Sequence, residues 1–461
     1  MTLQDKSVSF TEHYVHTPIM RPERSMIETD DNTRDVALAY GDKSSKQHSS
    51  VKRSILPTVV GNWFEVYDFS IYALFAVPIG RAFFPSASVA VQLQLAFATF
   101  AASFLMRPIG GIVIGRYADR VGRKPALTLT IVLMALGTAL LGLTPSYAQI
   151  GIAAPLIVVF ARLLQGFSAG GELGTATTYL IEIAPRGRRG LYGSWQYASQ
   201  GLALVAASLI GFGLARVLPS DAMHAWGWRI PFLIGILIAP VGVYIRKNLT
   251  ETAHEGSAMP LKALISEHRG MMASGILSII GGTSAAYVVG SYMTTYAQHV
   301  LHLPFSTGMF VNIVGGFSVF IGAVTGGWLS DKFGRRCLMI MPRLIFLLVV
   351  YPAFFLITHA GTFVSLMLMV ALLSVLSAMS TSVLLVALPE CFPRAIRTSG
   401  SSIVNSIGVT LFGGSAPLIV TQLIESTGDR IAPAWYLVFT SLVTLIALTR
   451  LRVPMANAPL E

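Results

Sequence analysis

Apolar runs of about twenty residues, long enough to cross a hydrocarbon layer as a helix, recur from residue 55 almost to the end of this chain, with short polar segments between them. Twelve spans are predicted, at 55–79, 91–115, 125–144, 152–182, 191–215, 228–246, 271–297, 306–328, 337–357, 363–388, 399–424 and 433–450. The pattern is that of an all-α polytopic membrane protein. Residues 1–50 break it. Six Lys/Arg and eight Asp/Glu stand there among Ser and Thr, with no run apolar enough for a signal-peptide core, so 1–52 reads as a disordered cytoplasmic tail. The expected organisation is this tail, a six-helix bundle over 53–247, a cytoplasmic linker over 248–268, and a second six-helix bundle with a short cytoplasmic tail over 269–461.

Composition agrees with that reading. Of 461 residues, 53% are hydrophobic and 12% charged, against roughly 25% charged in soluble chains, which excludes a soluble enzyme. Charge placement then sets the orientation. Of the 27 Lys/Arg beyond residue 50, 20 fall on the side of the N-terminus, and only Arg81, Arg216, Arg229 and Arg430 fall opposite. The positive-inside rule puts both termini in the cytoplasm. The basic residues form short clusters between apolar stretches, not one continuous face, which argues against nucleic-acid binding. Cys337 and Cys391 lack metal-ligand spacing and are read as free thiols.

A repeat divides the chain. Gly115-Arg116-Tyr117-Ala118-Asp119-Arg120-Val121-Gly122-Arg123-Lys124 reappears 212 residues later as Gly327-Trp328-Leu329-Ser330-Asp331-Lys332-Phe333-Gly334-Arg335-Arg336. A second pair, Glu182-x-x-Pro185-Arg186-x-x-Arg189 and Glu390-x-x-Pro393-Arg394-x-x-Arg397, is displaced by 208. Two motifs agreeing on one duplication imply two six-helix halves in the same orientation, related by a pseudo-twofold axis along the membrane normal. Each charged motif reads as a tight turn between two helices, its Asp able to pair with Arg across the seam between halves. Asp119, Arg120, Arg123, Glu182, Arg189, Asp331, Arg335, Glu390 and Arg397 are therefore candidate gating residues: a latch that breaks when that face opens.

The doubled motif resembles that of the major facilitator superfamily. Gly61-Asn62-Trp63-Phe64-Glu65-Val66-Tyr67-Asp68-Phe69, Phe104-Leu105-Met106-Arg107-Pro108-Ile109-Gly110-Gly111, Arg162-Leu163-Leu164-Gln165-Gly166-Phe167, Trp226-Gly227-Trp228-Arg229-Ile230-Pro231-Phe232 and Phe412-Gly413-Gly414-Ser415-Ala416-Pro417 resemble its metabolite:proton symporter branch. The resemblance covers about residues 52–450 and implies transport of citrate, 2-oxoglutarate, shikimate, or proline and betaine with protons. It also implies a bacterial cytoplasmic (inner) membrane. Ser426-Thr427-Gly428-Asp429 and Trp195-Gln196-x-x-x-Gln200 look nearer to the citrate-type members.

Ionisable residues at bilayer depth cost at least about 2.5 kcal/mol each on insertion scales, so each becomes a functional candidate by default. The first half holds Glu65, Asp68, Arg107, Arg162 and Glu172, whereas the second holds only Arg343 within a span. At about 100° per residue, Gly61, Glu65, Asp68 and Tyr72 share one stripe of the first span. Two carboxylates one turn apart repel in a low dielectric, which makes Asp68 and Glu65 candidate proton sites, with a structural role for either as the alternative. Arg162 needs an anionic partner, and the reading is that it trades Asp68 for a substrate carboxylate as Asp68 takes up a proton. Arg107 draws substrate inward, snorkels, or clamps the neighbouring loop. Gln165, Tyr72, Gln196, Gln200 and Tyr292 complete the candidate substrate-binding set, with interhelical hydrogen bonding the rival role for the glutamines.

No phosphate-binding G-x-x-x-x-G-K-[ST] loop is present, so ATP does not drive this chain. The expectation is a proton-coupled importer of a small organic acid, a di- or tricarboxylate such as citrate, working by alternating access as a monomer with no cofactor and no metal. A proton symporter of a zwitterionic osmolyte or a shikimate-like acid is the nearest alternative. A non-transporting membrane sensor is a remote one, and a channel is disfavoured for want of a ring of pore charges.

Overall fold

A computed structural model describes residues 55, 58–86, 88–121, 123–170, 173–247, 261–393, 397–451 and 453. Every regular element among them is helical. The first span, α1, runs Thr58–Leu74 and, after a 67° bend, Ala76–Phe83. Pro78 accounts for the bend: it has no N–H to give the carbonyl of Leu74, four residues earlier, and its ring clashes there. α2 (Val89–Ile114), α3 (Thr128–Leu143), α4 (Ala153–Ala169), α5 (Arg189–Val217) and α6 (Gly227–Tyr244) complete the first half. The second half comprises α7 (His268–His299), α8 (Phe305–Phe333), α9 (Arg335–Ala360), α10 (Phe363–Glu390), α11 (Ser399–Thr427) and α12 (Ala432–Arg450). These are the twelve spans and two halves that the apolar pattern and the repeat predict.

Three local differences matter. The acid of the repeated motif is not in a loop: α8 carries Asp331 on its last turn, and Gly334 alone makes the corner into α9, at φ +89°, a conformation open to glycine. α7 contains a π-helical turn at Val288–Tyr292, an extra residue in the helix where it faces the centre of the molecule. The expected linker over 248–268 is helical from residue 261 onward, as the start of Leu261–Tyr287. Its residues 248–260, the tail 1–52 and the end of the chain beyond 453 lie outside the described residues.

Glycine decides how closely the helices approach. Gly166 and Gly170 of α4 abut the backbone of Ser103 and Arg107 on α2, where a Cβ would run into carbonyl oxygens. This draws the two first-half arginines, Arg107 and Arg162, to neighbouring positions. Between halves, Gly201 of α5 and Gly316 of α8 lie back to back, so that a Cβ on either would sit 2.6 or 2.7 Å from the other's carbonyl oxygen. Neither cysteine forms a disulfide; Cys337 is exposed, and burial pushes the Cys391 thiol up to about 12, which keeps it protonated and unreactive at neutral pH.

A prediction follows from the packing of α4. Gly166→Ala is expected to destabilise the purified protein by about 1–3 kcal/mol, as overpacking does, read as a lower midpoint of thermal unfolding in detergent. Gly213→Ala, where a Cβ meets nothing within 4 Å, is expected to leave that midpoint unchanged.

Candidate functional site

The stripe on α1 delivers its carboxylates to two separate networks. Glu65 pairs with Arg107 of α2, Oε1 to Nη2 at 3.0 Å, with both side chains more than nine-tenths buried. Asp68, one turn on, turns to α3 and α4. Its Oδ1 accepts from Thr138 Oγ1 at 2.7 Å, and its Oδ2 accepts from Gln165 Nε2. Gln165 spends its other end on Arg162, whose Nη1 donates to Oε1 at 2.7 Å. The sequence reading had Asp68 and Arg162 in direct contact and Asp68 beside Glu65. In the structure a glutamine bridges the first pair: Gln165 lies one turn from Arg162 on α4 and reaches across to Asp68 on α1. An arginine of the next span neutralises Glu65, which relieves the repulsion between the carboxylates.

The amide of Gln165 is oriented by its neighbours. A carboxylate only accepts and a guanidinium only donates, so the NH2 must face Asp68 and the carbonyl must face Arg162. Thr138 has one proton for two acceptors, Asp68 Oδ1 and the Met134 carbonyl at 2.9 Å. The Asp68 charge thereby sets the direction of every bond around it.

Aromatic rings form the rest of the enclosure. The Arg162 guanidinium, wholly buried, lies 4.6 Å from the Phe69 ring, 4.4 Å from Tyr72 and 5.2 Å from Phe100. Arg107 lies 4.8 Å from Phe69 and 4.4 Å from Phe104. Phe69 thus separates two cations, and each ring face contributes about 2 kcal/mol to a desolvated cation. Tyr72 donates its hydroxyl to the Ala96 carbonyl at 3.1 Å, fixing its ring over Arg162. Arg162 Nε and Nη2 and Arg107 Nε have no hydrogen-bond partner.

These groups border a central cavity between the halves. Arg107, Phe69, Ser70, Tyr197 and Gln200 line it from the first half; Tyr287, Gly290 and Ser291 from α7, with Ser374 and Ser377 from α10, line it from the second. Arg162 sits one ring deeper, behind Phe69. Of the other candidates, Gln200 reaches the cavity. The Gln196 side chain is buried away from it, on a turn of α5 whose carbonyl accepts from Asn62. Tyr292 packs on Phe97 and accepts from Thr421 at 3.3 Å. Glu172 lies outside the described residues. Sequence reasoning passed over Thr138 and the three phenylalanines, since a threonine or a phenylalanine in an apolar helix carries no signal of its partner.

At the end of the molecule bearing the repeated motifs, the second copy forms a buried network. Arg335 donates to Asp331 at 2.8 Å, to Ser330 at 2.6 Å, and to both oxygens of Glu390 at 3.2 and 3.3 Å. These partners all belong to its own half. What crosses the seam is Asp331, which accepts from the backbone N–H groups of Gly190 and Leu191, at 2.8 and 2.9 Å, at the start of α5. A helix N-terminus offers such unpaired donors and a favourable dipole, and backbone groups cost no rotamer entropy, so across the seam they take the place expected of an arginine side chain. Arg189 stands at that same start, and Arg397 donates from Nε to the Pro389 carbonyl at 3.1 Å. Glu182, the counterpart of Glu390, is exposed. The side chains of Asp119, Arg120 and Arg123 lie outside the described residues. At mid-depth a second bond crosses the other seam: Pro108 leaves the Phe104 carbonyl without its helical donor, and Thr410 of α11 supplies one at 2.8 Å.

Comparison with known proteins adds to this geometry. The sequence pattern of the Major Facilitator Superfamily matches residues 58–417. The chain is 40% identical over 400 residues to the citrate-proton symporter of Klebsiella pneumoniae, covering 86% of this chain and 90% of that protein. It is 32% identical over 448 residues to the proline/betaine transporter of Salmonella typhimurium, covering 92% and 88% respectively. Among solved structures, the xylose transporter of E. coli superposes with a TM-score of 0.72 at 18% identity, over 89% of this chain and 99% of that one, a likeness of fold.

Two predictions follow. Glu65→Gln and Arg107→Gln are each expected to cost about 3–5 kcal/mol, as breaking one side of a buried pair does, and the double variant less than the two losses combined; chemical unfolding of the purified variants measures this coupling. Asp331→Ala is expected to loosen the seam at the motif-bearing end. Spin labels at the exposed Arg188 and Phe333 positions, in a variant whose two cysteines are replaced, should then report a broader and longer distance distribution than with Asp331 present.

Proposed function

The chain belongs to the Major Facilitator Superfamily, and we propose that it is a proton-coupled importer of a small organic acid, a di- or tricarboxylate with citrate as the first candidate. It is a multi-pass membrane transporter and not an enzyme. The observation that carries the reading is the charge balance around the cavity. Among the described residues, Arg107, Arg162 and Arg343 are buried at the centre against Glu65 and Asp68, an excess of one positive charge. Arg107 faces the cavity with a donor still unspent. A site with surplus buried cation favours an anion, and a second carboxylate-bearing group on the ligand favours it further.

Coupling runs through Asp68. With Asp68 ionised, Gln165 is held with its carbonyl on Arg162. When Asp68 Oδ2 takes a proton, that oxygen becomes a donor, Thr138 returns its own proton to the Met134 carbonyl, and Gln165 turns its carbonyl toward Asp68. Arg162 then loses its hydrogen-bond acceptor and the central surplus rises to two positive charges, so the protonated site binds an organic anion more strongly than the unprotonated one. Release of both to the other side restores the original bonds. Asp331 on the α5 N-terminus holds the motif-bearing end closed in one phase of the cycle and lets go in the other.

The 20 basic residues on the motif-bearing side support a cytoplasmic location for that face and for both termini, in a bacterial inner membrane. The first bundle over 53–247 and the second over 269–461 act as the two rocking bodies, within a single chain working as a monomer. A zwitterionic osmolyte fits less well. A quaternary ammonium needs open aromatic faces, and those of Phe69, Phe100, Phe104 and Tyr72 are taken by the two guanidinia.

Uptake into proteoliposomes under an imposed pH gradient tests this. Citrate is expected to accumulate above its external concentration, with 2-oxoglutarate, shikimate, proline and betaine competing poorly. Asp68→Asn is expected to keep citrate exchange and lose the pH-driven accumulation. Undiminished accumulation removes Asp68 from the coupling, and preferential uptake of proline or betaine overturns the organic-acid reading.

A further inference from the structure

The coupling scheme leaves one buried cation without a task. Arg343 lies on α9, about two turns inward from Arg335, with only 1% of its surface exposed. Its Nη1 donates to the Gly281 carbonyl at 3.2 Å, its Nη2 donates to Thr381 Oγ1 at 3.0 Å, and its Nε has no partner. No carboxylate stands within ion-pair distance of it among the described residues. An unpaired ion costs several kcal/mol to bury, and two neutral acceptors with the Phe346 ring, 5.2 Å from the guanidinium, return only part of that.

Its surroundings connect it to the cavity. Ser377, one turn from Thr381 on α10, lines the cavity, and its buried hydroxyl has no hydrogen-bond partner. Tyr197 also lines the cavity, and its phenol is hydrogen-bonded with Thr381 and within electrostatic reach of Arg343. Tyr197 belongs to α5, whereas Arg343, Thr381 and Ser377 belong to the other half. The phenol of one half thus stands near a cation of the other, on the motif-bearing side of the cavity.

We propose that Ser377, Thr381 and Arg343 form a second carboxylate subsite, closed by Tyr197 until the α5 seam loosens, and that it takes a further carboxylate of the acid whose first carboxylate is held at Arg107. The proposal rests on the organic-acid reading above and deepens it: two anchors, one in each half, select acids with two or more carboxylates over monoacids. An acid bridging the halves also neutralises a central cation that has no counter-charge of its own among the described residues.

Binding to the purified full-length protein separates this role from that of a structural cation joining α7, α9 and α10. The probes are citrate and 2-hydroxyisobutyrate, which keeps the central hydroxy acid of citrate and lacks both outer carboxylates. Arg343→Gln is expected to weaken citrate about ten- to a hundredfold, the span of a charged hydrogen-bonded contact, and to weaken 2-hydroxyisobutyrate far less, through the lost central charge alone; that retained binding also verifies the fold. Arg343→Lys, which keeps the charge, is expected to show a smaller loss confined to citrate. Equal losses for both acids, or citrate affinity unchanged in both variants, overturn the subsite. A wild-type protein that binds neither acid overturns the organic-acid reading itself, a failure visible before any variant is made.

Discussion

A guanidinium keeps its proton inside a membrane, so each arginine buried among these helices must find its compensation beside it. Three arginines at the centre of the fold meet that demand in three ways. Arg107 has a direct carboxylate, Glu65. Arg162 has a carboxylate at one remove, through Gln165, and ring faces on several sides. Arg343 has a carbonyl, a hydroxyl and one ring, that of Phe346 at 5.2 Å, and no carboxylate within ion-pair distance among the described residues. The gradation is the physical basis of the proposed site, because the less a cation is compensated by the protein, the more an entering anion gains from it.

The intermediate case is the one suited to coupling. A direct Asp68–Arg162 pair would be strong and hard to part. In the proposed scheme a glutamine between them transmits the protonation state of the acid to the cation as a choice of which end of the amide faces which neighbour, and switching that choice needs a side-chain rotation, not the separation of two charges. Thr138 works in the same sense, since its single proton follows the Asp68 charge.

The seam between halves obeys a related economy. Along α5 and α8 the contact is backbone on backbone, with Gly201 against Gly316 in mid-span and Asp331 on the amides of Gly190 and Leu191 at the end. Such contacts are close but few in polar bonds, so parting them, as the proposed cycle requires, strands few buried groups. Arg335 joins Glu390 and Asp331 within one half and holds Asp331 in place. The repeated motifs are thus alike in sequence and unlike in environment: Glu390 is buried in this network while Glu182 is exposed.

The amino-acid sequence by itself determined the twelve spans, the two halves and the residues that bear charge at depth, because hydrocarbon thickness, backbone hydrogen bonding and the cost of burying charge act on each stretch of chain locally. Glu65, Asp68, Tyr72, Arg107 and Arg162 were legible for that reason. Their partnerships were not. That Glu65 belongs to Arg107, that Gln165 stands between Asp68 and Arg162, that Thr138 orients the acid and that Tyr197 stands near Arg343 are relations between helices far apart along the chain. They depend on how closely Gly166 and Gly170 let α4 approach α2, and on where Pro78 and the π turn redirect α1 and α7. Periodicity tells which face of a helix is polar; only the packing of the twelve helices decides which face it meets.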